Sequence, residues 1–232
     1  LWRDIAPALR RDASIVFAHG FNLVYADLAF PSGADVVLVS PAGPGSVLSR
    51  PGAQLPGYLA VERDASGAAW ALAADYAAAL GLAPLTRTTA REETEVDLFG
   101  EQVVLCGGLN ALVRNAFEVL VARGFSPEIA YLECVHQVKH LADLLHERGP
   151  AGFRQAISGT ARYGDLTRGP RVIGPESRGA MEAIADEIQS GAFAREWRAE
   201  VEAGSPTLAR LVREAERHPI EAARRRAISD GS

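Results

Sequence analysis

The sequence predicts an α/β segment followed by an all-α segment, and three observations carry that prediction. Short apolar runs at 14–18, 35–40 and 57–61 each lead into a glycine- or proline-bearing turn, as buried parallel strands do. An Ala-rich helical stretch, 68–80, follows the third run. From Arg91 onward the pattern changes to long helices punctuated by Gly and Pro.

Taken in order, residues 1–10 read as a short amphipathic helix. Ser14-Ile-Val-Phe-Ala18 is the first strand and ends at His19-Gly20-Phe21. Asp35-Val-Val-Leu-Val-Ser40 is the second and ends at Pro41-Ala-Gly-Pro-Gly45. Gly57-Tyr-Leu-Ala-Val61 leads to Asp64-Ala-Ser-Gly67, where Asp64 or Ser66 can cap the Ala-rich helix. Three strands are too few for a complete doubly wound sheet, and no GxGxxG follows an early strand. The chain also opens at Leu1 without an initiator methionine, so a preceding segment carrying the glycine-rich loop is expected. Helices are expected over 92–104, 109–123, 127–147, 177–190 and 192–203, with Gly107-Gly108 interrupting or allowing close packing. The boundary falls near residue 88: 1–88 is the α/β part and 89–232 the all-helical part.

At 232 residues the chain can bury a substantial core. Its net charge of −5 argues against a nucleic-acid partner, which needs a basic stripe. Arg224-Arg225-Arg226 reads as a solvated helix end. The two cysteines, Cys106 and Cys134, form no CxxC or Cys/His spacing, so a reducing cytoplasm is expected. No run of about 18 uninterrupted apolar residues suggests a membrane span, and nothing at the start resembles a signal peptide.

The strongest chemical signal is acidic. Asp97 and Glu101 stand four apart and share a helical face, as do Glu133 and Gln137, with His136 and His140 nearby. Oxygen donors on helices suit a hard divalent cation, and Mg²⁺ is the expected occupant. Val96, Leu98, Phe99, Val103 and Val104 flank Asp97 and Glu101, so both acids are expected to be buried. Cys106 reads as a packed small residue, and His146 and His218 as structural.

The stretch Glu92-Glu-Thr-Glu-Val-Asp-Leu-Phe-Gly-Glu-Gln-Val-Val-Leu-Cys-Gly-Gly108 resembles the metal-binding signature of ketol-acid reductoisomerases. Phe17-Ala-His-Gly-Phe21, Pro41-Ala-Gly-Pro-Gly45, Pro127-Glu-Ile-Ala-Tyr131, Ile157-Ser-Gly-Thr-Ala161, Gly169-Pro170 and His218-Pro-Ile-Glu221 resemble further family segments in family order. The resemblance implies a partial Rossmann-like parallel sheet that binds NAD or NADP, then an all-helical domain that knots or interlocks, in a homodimer with a shared active site or a higher oligomer. It implies that His19 is the active-site histidine near the nicotinamide and that the Gly45 backbone touches the cofactor. Asp97 would bridge two Mg²⁺ ions and Glu101 would bind one of them. Glu133, with a catalytic part as well, and Gln137 would serve the other, and Ser158 would touch the carboxylate of a small hydroxy- or keto-acid substrate.

Two positions depart from the family pattern. Ala42 stands where the family has a lysine, and Gln137 where it has a glutamate that binds metal. Alanine transfers no proton, and the amide lacks one formal charge, so the second Mg²⁺ should bind more weakly. These departures favour an enzyme diverged toward a rearrangement or ring-forming step of specialised metabolism. The alternatives are an authentic reductoisomerase of valine and isoleucine synthesis and a non-catalytic dimerising paralogue.

Overall fold

The computed structural model describes residues 2–50, 52 and 54–228. Leu1, the first residue of the expected opening helix, lies outside the described residues. The chain divides into two compact units, Leu1–Leu98 and Phe99–Ser232.

The first unit is built on a four-stranded sheet of order β1-β2-β3-β4, with β1 at Ser14–Phe17, β2 at Asp35–Pro41, β3 at Leu55–Arg63 and β4 at Leu82–Arg87. Short helices α1 (Trp2–Ile5), α2 (Phe21–Tyr25) and α3 (Gly45–Leu48) and the longer α4 (Ala69–Ala79) fill the connections. The class is the expected one, but the sheet is mixed rather than parallel. β1 pairs parallel with β2, and β3 parallel with β4, whereas β2 and β3 run antiparallel. A parallel pairing needs a crossover, usually helical, and the β2–β3 link offers only the single turn of α3 between Pro and Gly residues. β2 is buried along Asp35–Ser40, as its unbroken apolar run requires.

The core of this unit joins Val37, Val39 and Leu59 of the sheet to Ala69, Ala73 and Ala77 of α4. Alanine every fourth residue leaves a flat stripe that lets α4 lie close on the sheet. Neither expected residue is the N-cap of α4, which is Ala68, but both hold the backbone at its start. Asp64 Oδ1 accepts from the Ala69 N–H at 3.2 Å, and Ser66 Oγ from the Ala68 N–H at 3.0 Å. Asp35, buried at the head of β2, accepts from the Ala65 and Ser66 N–H groups and from the Ser66 hydroxyl at 2.6 Å. Those bonds, the Ser66 hydroxyl foremost, hold its carboxyl below the usual carboxylate range.

Helix α5 spans Ala90–Gly100, led by Thr89, whose hydroxyl accepts from the Glu92 N–H at 3.0 Å. After it the chain is helical throughout: α6 (Gly107–Ala122), α7 (Pro127–Tyr131), α8 (Val138–Ala156), α9 (Gly159–Val172), α10 (Pro175–Gln189), α11 (Ala192–Glu202), α12 (Pro206–Glu216) and α13 (Pro219–Ile228). Within α8 the helical geometry breaks at Gly149 (φ 64°), just before Pro150. Two π-helical turns interrupt the α-helical runs, Glu101–Leu105 before α6 and Leu132–His136 before α8. In the second unit Phe117, Ala130, Tyr131 and Ala223 form a core in which α13 docks on α6 and α7. His218 secures that docking: its Nδ1 accepts from the Ile220 N–H and its Nε2 lies 2.9 Å from Glu118 Oε1.

Burial departs from expectation along the helical run Ala90–Ala122. It is 33 residues long and, by length and composition alone, could cross a membrane, although the uninterrupted apolar count argued against any span. In the single chain only 6% of its most apolar window is buried. Val96 is 64% exposed and Val104 57%, so the flanks expected to bury Asp97 and Glu101 are open: Asp97 is half-exposed and Glu101 exposed.

Candidate active site

In the first unit the site begins at the carboxyl ends of two neighbouring parallel strands, where ligands bind in open α/β sheets. β1 delivers the loop Ala18-His19-Gly20, and β2 delivers Ala42 and Gly45 beside it. Gly20 is required by close packing: a Cβ there would fall 2.1 Å from Thr94 Oγ1 and 2.9 Å from the Ala90 carbonyl oxygen. That approach presses the loop onto α5 and brings His19 to Asp97. His19 Nε2 lies 2.8 Å from Asp97 Oδ2, while Nδ1 accepts the Phe21 N–H at 2.9 Å. A ring nitrogen that accepts carries no proton, so His19 is the Nε2–H tautomer and donates to the carboxylate. Gly45 opens α3, with no atom within 4 Å of the place a Cβ would take.

Beneath the loop lies an acid that sequence reasoning did not single out. Glu93 is 5% exposed, and its Oε2 accepts from the buried Thr94 hydroxyl at 3.3 Å. The Thr89-x-x-Glu92 cap fixes the start of α5 and so places Glu93 one turn ahead of Asp97, which the sequence could have signalled.

In the second unit, Glu101 opens the first π turn, and Glu133 lies in the second with Gln137 directly after it. A π turn inserts one extra residue, and such turns gather at functional sites. Gly107 and Gly108 make the first one possible, because the widened turn drives the carbonyls of Gln102 and Val103 toward them. A Cβ on Gly107 would sit 2.1 Å from the Gln102 oxygen, and one on Gly108 1.8 Å from that of Val103. The Gln137 amide donates to Glu133 Oε2 at 2.8 Å. Ser158 heads α9, accepts from the Ala161 N–H at 3.2 Å and is exposed. Cys134 is partly buried, and burial followed by the neighbouring Glu133 raises its thiol pKa.

The structure thus brings together His19 with Asp97, and Glu133 with Gln137. Among the described residues no group of three or more His, Cys, Asp or Glu comes together to hold a metal ion. The donor chemistry itself fits Mg²⁺: Asp97, Glu101, Glu133 and Gln137 all offer oxygen and none offers sulfur.

A four-stranded mixed sheet followed by an acid-bearing helical unit gives the α/β-then-α class of the chain, and comparison with known proteins assigns it to one family. Residues 1–85 match the family described as "Acetohydroxy acid isomeroreductase, NADPH-binding domain". Residues 90–229 match "Ketol-acid reductoisomerase, C-terminal domain". The chain belongs to the ketol-acid reductoisomerase family, whose members are NAD(P)-linked oxidoreductases. It is 51% identical over 223 residues to a ketol-acid reductoisomerase (NADP(+)) of Saccharopolyspora erythraea, covering 94% of this chain and 67% of that protein. It superposes with TM-score 0.91 and 36% identity on an NADH-preferring ketol-acid reductoisomerase from an uncultured archean, covering 97% and 71% of the two chains. A semialdehyde dehydrogenase NAD-binding protein from Cupriavidus necator shares the fold alone, with TM-score 0.57 and 18% identity over 81% and 72% of the two chains.

Proposed function

We propose that this protein is an authentic ketol-acid reductoisomerase that converts acetohydroxy acids into dihydroxy acids for branched-chain amino acid synthesis. The observation that carries the reading is the 51% identity across 94% of the chain to a reductoisomerase. It favours this activity over the diverged, specialised-metabolism enzyme that Ala42 and Gln137 had suggested. In the reaction an alkyl group migrates between neighbouring carbons, and hydride then reduces the new ketone.

His19 holds the Asp97 carboxylate in one orientation by donating Nε2–H to it, which leaves Asp97 Oδ1 outside that bond. Asp97 and Glu101 form one half of the metal-binding set, Glu133 and Gln137 the other. When bound, Mg²⁺ supplies Lewis acidity to the substrate's hydroxyl and carbonyl oxygens, and NADPH or NADH supplies hydride. Ser158 receives the substrate carboxylate at the head of a 14-residue helix, where unpaired N–H groups favour an anion. Gly45 admits the cofactor close to the backbone. Ala42 offers no acid or base, so proton transfer from the substrate hydroxyl falls to Glu133 or to water.

The halves meet in a homodimer. What supports this is the open apolar surface of the second unit, where Leu105, Leu109, Leu112 and Val119 are all exposed. Arg114 and Glu118, paired one turn apart on the same run, suit a protein partner better than a lipid core. The dimer works in the cytoplasm, where both cysteines remain thiols.

The test is turnover by the purified protein of acetolactate with Mg²⁺ and NADPH or NADH, with Asp97→Asn alongside. Cofactor oxidation that requires both acetolactate and Asp97 supports the reading. Oxidation independent of acetolactate, or none at all, contradicts it. Sedimentation at twice 24.7 kDa tests the dimer.

A further inference from the structure

The second unit carries a pair of nitrogen donors separate from the oxygen donors described above. His136 closes the second π turn, and His140 lies in the first turn of α8, one turn further along. Both are exposed, and their rings meet edge to face with centroids 5.6 Å apart and planes at 71°. Among the described residues neither ring has a hydrogen-bond or ion-pair partner. The approach of the rings is close to what a shared ion demands. With metal–nitrogen bonds of about 2.0–2.1 Å and a near-tetrahedral angle, two imidazoles sharing one ion hold their centroids about 5 Å apart.

We propose that His136 and His140 form a bidentate site for a borderline transition-metal dication of the Zn²⁺, Ni²⁺ or Cu²⁺ kind, with water completing the coordination. Imidazole nitrogen selects these ions, whereas the carboxylate and amide oxygens of Asp97, Glu101, Glu133 and Gln137 select Mg²⁺. The two sets therefore differ in the ion each prefers, and excess Mg²⁺ keeps the oxygen set occupied in the test below. The spacing His136-Gln-Val-Lys-His140 is that of the helical zinc pair of metalloproteases, but Gln137 stands where those carry the glutamate that acts as general base. The amide of Gln137 is also engaged with Glu133, so the site binds an ion without hydrolytic chemistry. The inference is independent of the proposed reductoisomerase reaction.

The test is calorimetric titration of the metal-stripped protein with Zn²⁺, and separately with Ni²⁺, in excess Mg²⁺. The wild type is compared with His136→Ala, His140→Ala and Glu133→Gln. One ion per chain is expected, with affinity falling at least about tenfold in either histidine variant, since even outer-shell changes cost that much. Glu133→Gln should leave it unchanged. Because both side chains are exposed, the helical circular dichroism of each variant should match the wild type. The Cu²⁺ complex should show two nitrogen ligands by electron paramagnetic resonance. Binding that survives both histidine variants, binding lost in Glu133→Gln, or a single nitrogen ligand would overturn the proposal.

Discussion

The side-chain amide of Gln137 donates to Glu133 Oε2 at 2.8 Å, across the end of the second π turn. A glutamate at position 137 would face Glu133 with like charge instead, and a cation would be needed to hold the two together. The amide thus satisfies without metal a pairing that two carboxylates would satisfy only with it.

Gln137→Glu should therefore tighten Mg²⁺ binding, about tenfold or more for the weaker ion, while lowering the stability of the metal-free protein. Calorimetry with Mg²⁺ and thermal unfolding in chelator would read the two effects. Adding Ala42→Lys should raise acetolactate turnover by roughly 10²–10⁴-fold, the usual contribution of a positioned acid or base. Unchanged Mg²⁺ affinity in Gln137→Glu would remove position 137 from the metal-binding set.

His19 should be found as the Nε2–H tautomer, because Nδ1 accepts from Phe21 N–H and Nε2 faces Asp97. Long-range ¹H–¹⁵N correlation of the imidazole ring would show a protonated Nε2 and a bare Nδ1. Asp97→Ala should perturb the Nε2 resonance and leave the Nδ1 contact in place. The opposite tautomer would mean that the loop is held some other way.

Two glycine substitutions should have opposite signs. Gly179, inside α10, has nothing within 4 Å of its missing Cβ, so Gly179→Ala should stabilise by about 0.5–1 kcal/mol. Gly108→Ala would drive a Cβ to 1.8 Å from the Val103 oxygen and should destabilise by about 2 kcal/mol or more. Urea denaturation of the pair separates the effect of the π turn from ordinary helix propensity. A stabilising Gly108→Ala would mean that the turn relaxes freely to α-helix.

Glu128 gives the fold an acid-sensitive clasp. The Arg226 guanidinium and then the Ser126 hydroxyl hold its carboxyl down to about 2, from an ordinary 4.5. A depressed carboxylate contributes stability that is present above its unfolded value and lost as pH falls through its folded value. The docking of α13 on α7 should therefore weaken between about pH 4.5 and pH 2. Hydrogen exchange of α13 across that window would show it, and Glu128→Gln should flatten the response.

Burial decided how much of the fold could be read from sequence. β2 is an unbroken apolar run because it is buried along most of its length, and α4 announces itself through alanine at every fourth position. β4 gave no such signal: Leu82-Ala-Pro-Leu-Thr-Arg87 lies at the edge of the sheet, contains a proline and is exposed after its first residue. The strand at 57–61 was legible but its antiparallel direction was not, since direction is set by the connection and not by the strand's own residues. The π turns change the helical phase by a single residue, and only Gly107-Gly108 records the first of them. In the site, the spacing of Asp97 and Glu101 was legible, but their burial was misjudged because Val96 and Val104 remain open in a single chain. The pairing of His19 with Asp97, 78 residues apart, leaves no periodic trace: the resemblance singled out each residue, and only the structure joins them.

The central claim is the reductoisomerase reaction itself, and product analysis tests it most directly. The purified protein would be incubated with Mg²⁺, NADPH or NADH and acetolactate labelled in the migrating methyl group, and the product read by ¹³C NMR. A dihydroxy acid with the label on the neighbouring carbon, formed in proportion to the cofactor oxidised, is the predicted result. No dihydroxy acid, or a product whose label has not moved, would contradict it.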